Sequence, residues 1–186
     1  MYVEGKPKIV TSNLEEHLLR TLAAVPASST VLDAVCGAGD RAAALARLGF
    51  AIYACDLDKG NVDRTRERLA GVPGTRVADH VMVRTSTSLP FHGDLFDWTI
   101  LIDAARDEFA RIKLLSALRH VTKPGGWLYI AVRVDSNEGG AVAGGQLVDA
   151  SRQTSWSSAQ DQILHRGEGT RWLQTIYRRV EVGTPP

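Results

Sequence analysis

The chain has 186 residues, 44% of them hydrophobic and 23% charged, a balance near globular averages and long enough for one domain with a substantial core. A formal net charge of +1 gives no electrostatic case for nucleic acid or an anionic membrane as an obligatory partner. No apolar run reaches the ~20 residues that span a bilayer, and Met1-Tyr-Val-Glu-Gly-Lys-Pro-Lys lacks the apolar core of a signal peptide, so the expected setting is the cytoplasm.

Ser12-Asn-Leu-Glu15 reads as a capping box, with Ser12 as N-cap. Leu14, Leu18, Leu22 and Val25 then mark the apolar face of a helix that Pro26 closes. This helical segment, residues 1–27, is expected to precede a ligand-binding domain over 28–186, the whole forming a single domain. The first strand is placed at Thr30 to Cys36 and an alanine-rich helix at Asp40 to Leu48. A second strand follows from Phe50 to Cys55, then a helix from Lys59 to Ala70 with Val62 and Leu69 inward. Cys36 and Cys55, the two cysteines, both fall in predicted strands and are expected to be reduced core residues.

Gly71-Val-Pro-Gly74 is a turn before a third strand, Arg76 to Val83. The polar loop Thr85-Ser-Thr-Ser88 and Leu89-Pro-Phe91 lead into a fourth strand, Phe96 to Ile102, apolar enough to be buried on both faces. A helix over Asp107 to Val121 carries Phe109, Ile112, Leu115 and Leu118 at helical spacing. Lys123-Pro-Gly-Gly126 fits a type II turn, with proline second and glycine third, and a fifth strand runs from Trp127 to Val134. Ser136 to Gly145 is rich in glycine and reads as a flexible loop or lid. Gln162 to His165 and Trp172 to Tyr177 flank Arg166-Gly-Glu-Gly-Thr170 as a β-hairpin.

The alternation predicts an α/β fold: a three-layer sandwich around a mostly parallel, doubly wound sheet of about seven strands, ending in an antiparallel hairpin. Such sheets bind ligands beyond the carboxyl ends of their strands, where Asp33, Gly37, Asp56, Thr85 and Asp103 all lie. Gly37 and Gly39 allow a sharp turn and a close backbone approach. Asp56 is placed to accept hydrogen bonds from the two hydroxyls of a ribose, so a nucleotide-containing cofactor is the leading inference.

Asp33-Ala-Val-Cys-Gly-Ala-Gly39, Asp56, Leu89-Pro-Phe91 before Phe96-Asp-Trp-Thr-Ile, and Lys123-Pro-Gly-Gly126 together resemble the class I S-adenosylmethionine-dependent methyltransferases over residues 28 to 134. The resemblance implies S-adenosylmethionine as cofactor. It implies that Asp33 and the adjoining Ala34 meet the methionine end through the glycine loop. Gly37 and Gly39 would pass beneath the cofactor, Asp56 would hold both ribose hydroxyls and Leu57 would pack on adenine. Thr85 and Ser86 would face the adenine amine, and Asp103 would line the methionine and substrate side. The chain departs from the pattern at Val35, which replaces the first glycine of the loop, and at Thr85 and Ser86, where many relatives carry an Asp.

Gly37-Ala-Gly39-Asp-Arg-Ala42 also matches the dinucleotide fingerprint of NAD-binding proteins, but leaves Asp33 without a role and finds no Tyr-x-x-x-Lys pair. A catalytically silent S-adenosylmethionine-binding regulatory protein is the other class in view. Methyl transfer requires collinear reactants and exclusion of water, and a base only where the nucleophile must lose a proton. No catalytic residue stands out. His92 and His17 read as solvated histidines, Asp107 as a helix cap, and Trp156 and Trp172 as core. No metal site is expected. With no Asn-Pro-Pro-Tyr motif and no recognition domain, the expected partner is a small-molecule substrate and not nucleic acid.

Overall fold

The computed structural model describes residues 8–10, 13–75, 80–102, 108–134, 137–166 and 170–180, and the side chains of all of these except 108–110 and 137–144. In chain order the elements are β1 (Lys8–Val10), α1 (Leu14–Leu22), β2 (Thr30–Asp33), α2 (Asp40–Arg47), β3 (Ala51–Asp56), α3 (Lys59–Ala70) and β4 (Val81–Val83). They continue with β5 (Phe96–Ile102), α4 (Glu108–Val121), β6 (Thr122–Arg133), α5 (Asn137–Gln153), β7 (Trp156–Ser158), β8 (Ile163–Arg166) and β9 (Arg171–Arg179).

The strands form one nine-stranded sheet in the order β1-β8-β9-β6-β5-β2-β3-β4, with β7 also paired to β9. Among the described pairings, β9 alone runs against its neighbours β6, β7 and β8. Chain order reverses between β2 and β5, which pair in parallel with Asp33 opposite Ile100. A doubly wound sheet opens its ligand crevice at such a reversal.

Strand alternation sends Val31, Ile52, Ala54, Ile100, Tyr129 and Ile176 to one face, where α1, α2 and α3 bury Leu18, Leu45, Val62 and Leu69 against them. The opposite face buries Leu32, Cys55, Leu101 and Leu128 under Leu115 and Leu118 of α4 and Leu147 of α5. The crossover from β4 to β5 contains no helix among its described residues. In its place Phe91, Phe96 and Tyr53 pack edge to face, with centroids 5.1–5.8 Å apart, and His80 stacks on Tyr53.

At the other end of the strands, Asp97 accepts from the Thr30 backbone N–H and from Lys123 Nζ, both at 2.8 Å. Burial works against its charge, but these bonds hold the Asp97 carboxyl below its ordinary value. Phe96 pairs with Thr122 and Trp98 with Trp127, so Lys123–Gly126 loops out of β6 between them. Gly125 has φ +75°, as the third position of a type II turn requires.

Several expectations are corrected. The N-cap of α1 is Asn13, whose side chain accepts from the Glu15 N–H at 2.8 Å; Ser12 lies outside the described residues. The first strand ends at Asp33 and not at Cys36, because the chain bends after Ala34, whose N–H still donates to Ile100. Cys36 therefore sits in the loop. The third strand is described only over Val81–Val83, since 76–79 lie outside the described residues, as does Asp107.

The glycine-rich Ser136–Gly145 stretch is helical from Asn137, as the first half of α5. Each glycine costs about 1 kcal/mol of helix propensity. Burial of Leu147 and Ala150 on one stripe against the α4 side of the sheet offsets it. The sheet has nine strands where about seven were expected. β1 and β7 are three residues each, and their pairing comes from β8 and β9 rather than from their own pattern.

Candidate functional site

The loop after β2 is fixed by its neighbours on both sides. The Gly37 N–H donates to Asp56 Oδ2 at 3.0 Å, and the Asp58 N–H donates to Oδ1 at the same distance. One buried carboxylate thus ties the glycine loop to the end of β3. From beneath, Thr65 of α3 donates its hydroxyl to the Gly37 carbonyl at 3.1 Å. Gly37 and Gly39 have φ +55° and +85°, a region that side chains disfavour. A Cβ on Gly39 would meet Thr65 Cα at 2.8 Å, so this glycine lets α2 and α3 approach; a Cβ on Gly37 would meet nothing within 4 Å. Open space therefore lies directly above the backbone of Gly37, beside Asp56.

Asp33 is fully buried and is engaged by Arg41 in a bidentate pair, Nε to Oδ2 at 2.9 Å and Nη2 to Oδ1 at 2.8 Å. The same Nη2 donates to the Val35 carbonyl at 2.7 Å. Burial pushes the Asp33 carboxyl above its ordinary value while the Arg41 guanidinium pulls against that rise. Desolvation works against the charge on Arg41, and Asp33 outweighs it. The expected methionine-end acid is present at the strand end, but an internal cation occupies it.

Ala34 is buried on the opposite face, and its carbonyl accepts from Arg84 Nε at 2.9 Å. Arg84 is itself buried and also donates to the Thr85 carbonyl, so it joins the ends of β2 and β4. Leu57, 51% exposed, and Val83, 45% exposed, present apolar surface at the ends of adjacent strands, with Val83 paired to Asp56. The Thr85 hydroxyl lies 2.7 Å from Ser88 Oγ and accepts from the Ser88 N–H, shaping an exposed loop that also carries Ser86. Asp103 lies outside the described residues. Asp33, Gly37, Asp56, Leu57 and Thr85 thus share one edge of the sheet, with Gly39 as packing support.

The α1 face beyond β5 carries a second polar group. His17 Nδ1 lies at hydrogen-bond distance, 3.0 Å, from the hydroxyl of Tyr129. The His17 ring meets His165 edge to face, with centroids 4.9 Å apart. Tyr129 and His165 are buried, and His17 is partly buried. Desolvation, His165 and Arg20 hold the His17 imidazole below its ordinary pKa. Burial raises the Tyr129 hydroxyl, against the pull of Arg41, so both groups are neutral at pH 7.

Arg41, Thr65, Arg84, Tyr129 and His165 had no motif to announce them. Arg41 alone left a signal: a buried acid at a strand end requires a counter-charge, and Arg41 is the cation in the first turn of the following helix. His92 is exposed. Trp156 is core, donating from Nε1 to the Leu115 carbonyl. Both cysteines are free and buried; burial pushes the Cys36 thiol up to about 12 and raises Cys55 likewise. Among the described residues no cluster suited to a metal ion occurs, and no helix is long and apolar enough to cross a membrane.

Residues 31–126 match the sequence profile of a family described as the methyltransferase domain. A demethylmenaquinone methyltransferase of Clavibacter sepedonicus is 36% identical over 104 residues, 56% of this chain. The match spans 41% of that protein's length. Among solved structures, an S-adenosylmethionine-dependent methyltransferase from Methanosarcina mazei superposes with TM-score 0.73 at 15% identity, covering 92% of this chain and 99% of the other. One from Aquifex aeolicus gives TM-score 0.67 at 18% identity, covering 90% of each chain.

Proposed function

Because the chain belongs to the methyltransferase domain family, of the class I S-adenosylmethionine-dependent kind, we propose that it transfers a methyl group from S-adenosylmethionine to a small-molecule acceptor. The observation that carries this reading is the open space above Gly37, bordered by the Asp56 carboxylate. A nucleoside laid there would meet bare backbone below, a carboxylate at the ribose hydroxyls and Leu57 with Val83 at the base. The demethylmenaquinone relative supports a small molecule as acceptor.

When bound, S-adenosylmethionine supplies an electrophilic methyl group on a sulfonium with a neutral thioether as leaving group. The residues of the chain then have two tasks, to hold donor and acceptor collinear and to exclude water. Asp56 orients the ribose by accepting its hydroxyls, an interaction that fixes the direction of the adjoining sulfonium arm. Asp33 and the Val35 carbonyl would be the acceptors for the amino group of the methionine end, and Arg41 the donor for its carboxylate. For that exchange the guanidinium must release part of its hold on Asp33 and Val35.

Asp56→Ala is expected to weaken S-adenosylmethionine by roughly 1–3 kcal/mol, about 5- to 150-fold, as one unpaired ribose contact implies. Isothermal titration with S-adenosylmethionine and its demethylated product measures this. An unchanged affinity would refute the role of Asp56, and absence of binding below millimolar concentration would sink the cofactor reading. A second reading, a binder without turnover, draws on Arg41, which already fills the acceptors of the amino end. A methyl-transfer screen across small-molecule acceptors separates the two.

A further inference from the structure

Resting on that reading, we propose that His17 accepts the proton of a weakly acidic hydroxyl on the methyl acceptor, a phenol or enol, with Tyr129 and His165 holding its ring. Asp33, Ile100 and Tyr129 stand level on adjacent strands and project to the same face. Tyr129 is therefore two strand spacings, about 10 Å, from Asp33. The Arg41 charge acts on both. His17 of α1 reaches the Tyr129 hydroxyl, and Glu15 of the same helix acts on Arg41, which brings the ring to the Asp33–Arg41 side of the sheet.

The ring is held at one nitrogen and partly exposed. Nδ1 is engaged with Tyr129, and the proton-accepting tautomer has Nδ1–H donating to the tyrosine oxygen and Nε2 turned to the acceptor. The groups that face His17 are Tyr129 from β6, His165 from β8 and Arg20 from its own helix, with Arg41 of α2 behind Tyr129. The acids of α1 are engaged by these same cations: Glu16 pairs with Arg20 at 2.5 Å, and the charge of Glu15 acts on Arg41. Asp33 is neutralised by Arg41 and Glu16 by Arg20, and beside these paired charges a neutral imidazole suits an oxygen acid.

Gln174 is a second pointer on this face. It is fully buried, and its Oε1 has no hydrogen-bond partner among the described residues, while its Nε2 donates to Gln160. Gln174 pairs with Ala131 and Ile163, one pleat from His165, which leaves an unfilled acceptor on the face that His17 occupies. In the step itself, the hydroxyl proton passes to His17 and the oxygen forms its bond to the methyl carbon. The methyl–sulfur bond breaks with its electron pair going to sulfur, which leaves as the neutral thioether.

The test uses the whole chain, wild type, His17→Gln and Tyr129→Phe. All three are expected to bind S-adenosylhomocysteine within twofold by calorimetry. Methyl transfer from S-adenosylmethionine is then measured to 2-naphthol, catechol and 4-nitrophenol, with 2-naphthylamine and benzylamine as the amine arm. Phenols are expected to be methylated in preference. His17→Gln is expected to lower kcat/KM by about 100-fold, least for 4-nitrophenol, the most acidic of the three, and to erase the acid limb of the pH profile. In the proton NMR spectrum without any cofactor, His17 is expected to titrate below the usual histidine value and to move in Tyr129→Phe.

Preference for amines, unaltered rates and pH profile in His17→Gln, or a His17 titration indifferent to Tyr129→Phe would each overturn the proposal. So would S-adenosylhomocysteine binding without methylation of any phenol. Failure of wild type to bind S-adenosylhomocysteine would instead bring down the cofactor reading on which it rests.

Discussion

The β2-β3-β4 half of the sheet, with α2 and α3, holds its candidate site by backbone, whereas the β6-β9-β8 half, under α1, assembles one from side chains distant in sequence. In the first half Gly37, Asp56 and Asp58 are joined through N–H groups within 21 residues of chain. In the second, His17 reaches Tyr129 across a separation of 112 residues and then touches His165. A site made of backbone needs particular residue types at particular spacings, glycine at positive φ and an acid at a strand end. A site made of side chains needs only that folding bring them together. The first leaves a motif and the second does not. The comparison also explains why a cofactor is readable from this chain and an acceptor is not.

The largest expected effect tests whether the buried ion pair belongs to the cofactor half as structure or as function. Arg41→Met leaves the Asp33 carboxyl buried without its counter-charge, and is expected to lower unfolding free energy by about 3–5 kcal/mol. In the double variant Asp33→Leu with Arg41→Met both charges are gone, and most of that stability is expected to return. Urea denaturation measures both. Cofactor affinity in the double variant should stay low while stability recovers, because the acceptor proposed for the methionine amino group has been removed. Equal loss in single and double variants would mean that the pair is not an energetic unit.

The second half is sharpened by α5. If the glycine-rich stretch is a packed helix, Leu147→Ala is expected to cost about 2–5 kcal/mol, the range for deleting a fully buried leucine. Hydrogen exchange over the whole of α5, residues 137–153, should be slow in wild type. A loss under about 0.5 kcal/mol with fast exchange would restore the lid. Here the sequence misleads for a physical reason. Glycine lowers helix propensity locally, but the stripe through Leu147 and Ala150 becomes visible only once the sheet face that receives it is known.

The same distinction runs through the rest of the chain. α3, over Lys59–Ala70, and β5, over Phe96–Ile102, match the sequence reading residue for residue, because a helical charge pattern and a continuous apolar run are local properties. The positions of Asp33 and Asp56 at strand ends and of Gly37 in a turn at positive φ were legible for the same reason. β1 and β7 were not, since three residues carry no period and acquire partners only from β8 and β9. Arg84 and Tyr129 were illegible because a polar residue just past a strand or within one does not declare which buried group it will meet. His17 read as solvated on its own helix, and its partial burial comes with a tyrosine that the helix does not contain.

The two loop glycines give the smallest contrast and the most selective one. Gly39→Ala places a methyl 2.8 Å from the backbone of Thr65 at φ +85°, and strain with overpacking is expected to cost about 2–4 kcal/mol. Gly37→Ala meets no neighbour, so only the left-handed conformation is penalised, at about 1 kcal/mol. Its methyl, however, projects into the space assigned to the cofactor, and S-adenosylmethionine affinity is expected to fall at least tenfold. Thermal unfolding without ligand and calorimetry with it separate the two variants. Should Gly37→Ala bind as well as wild type, the open space would not be where the cofactor lies, and the backbone-held site would have to be moved along the edge toward β4. Should Gly39→Ala prove the milder of the two in stability, the close approach of α2 to α3 would not be what that glycine secures.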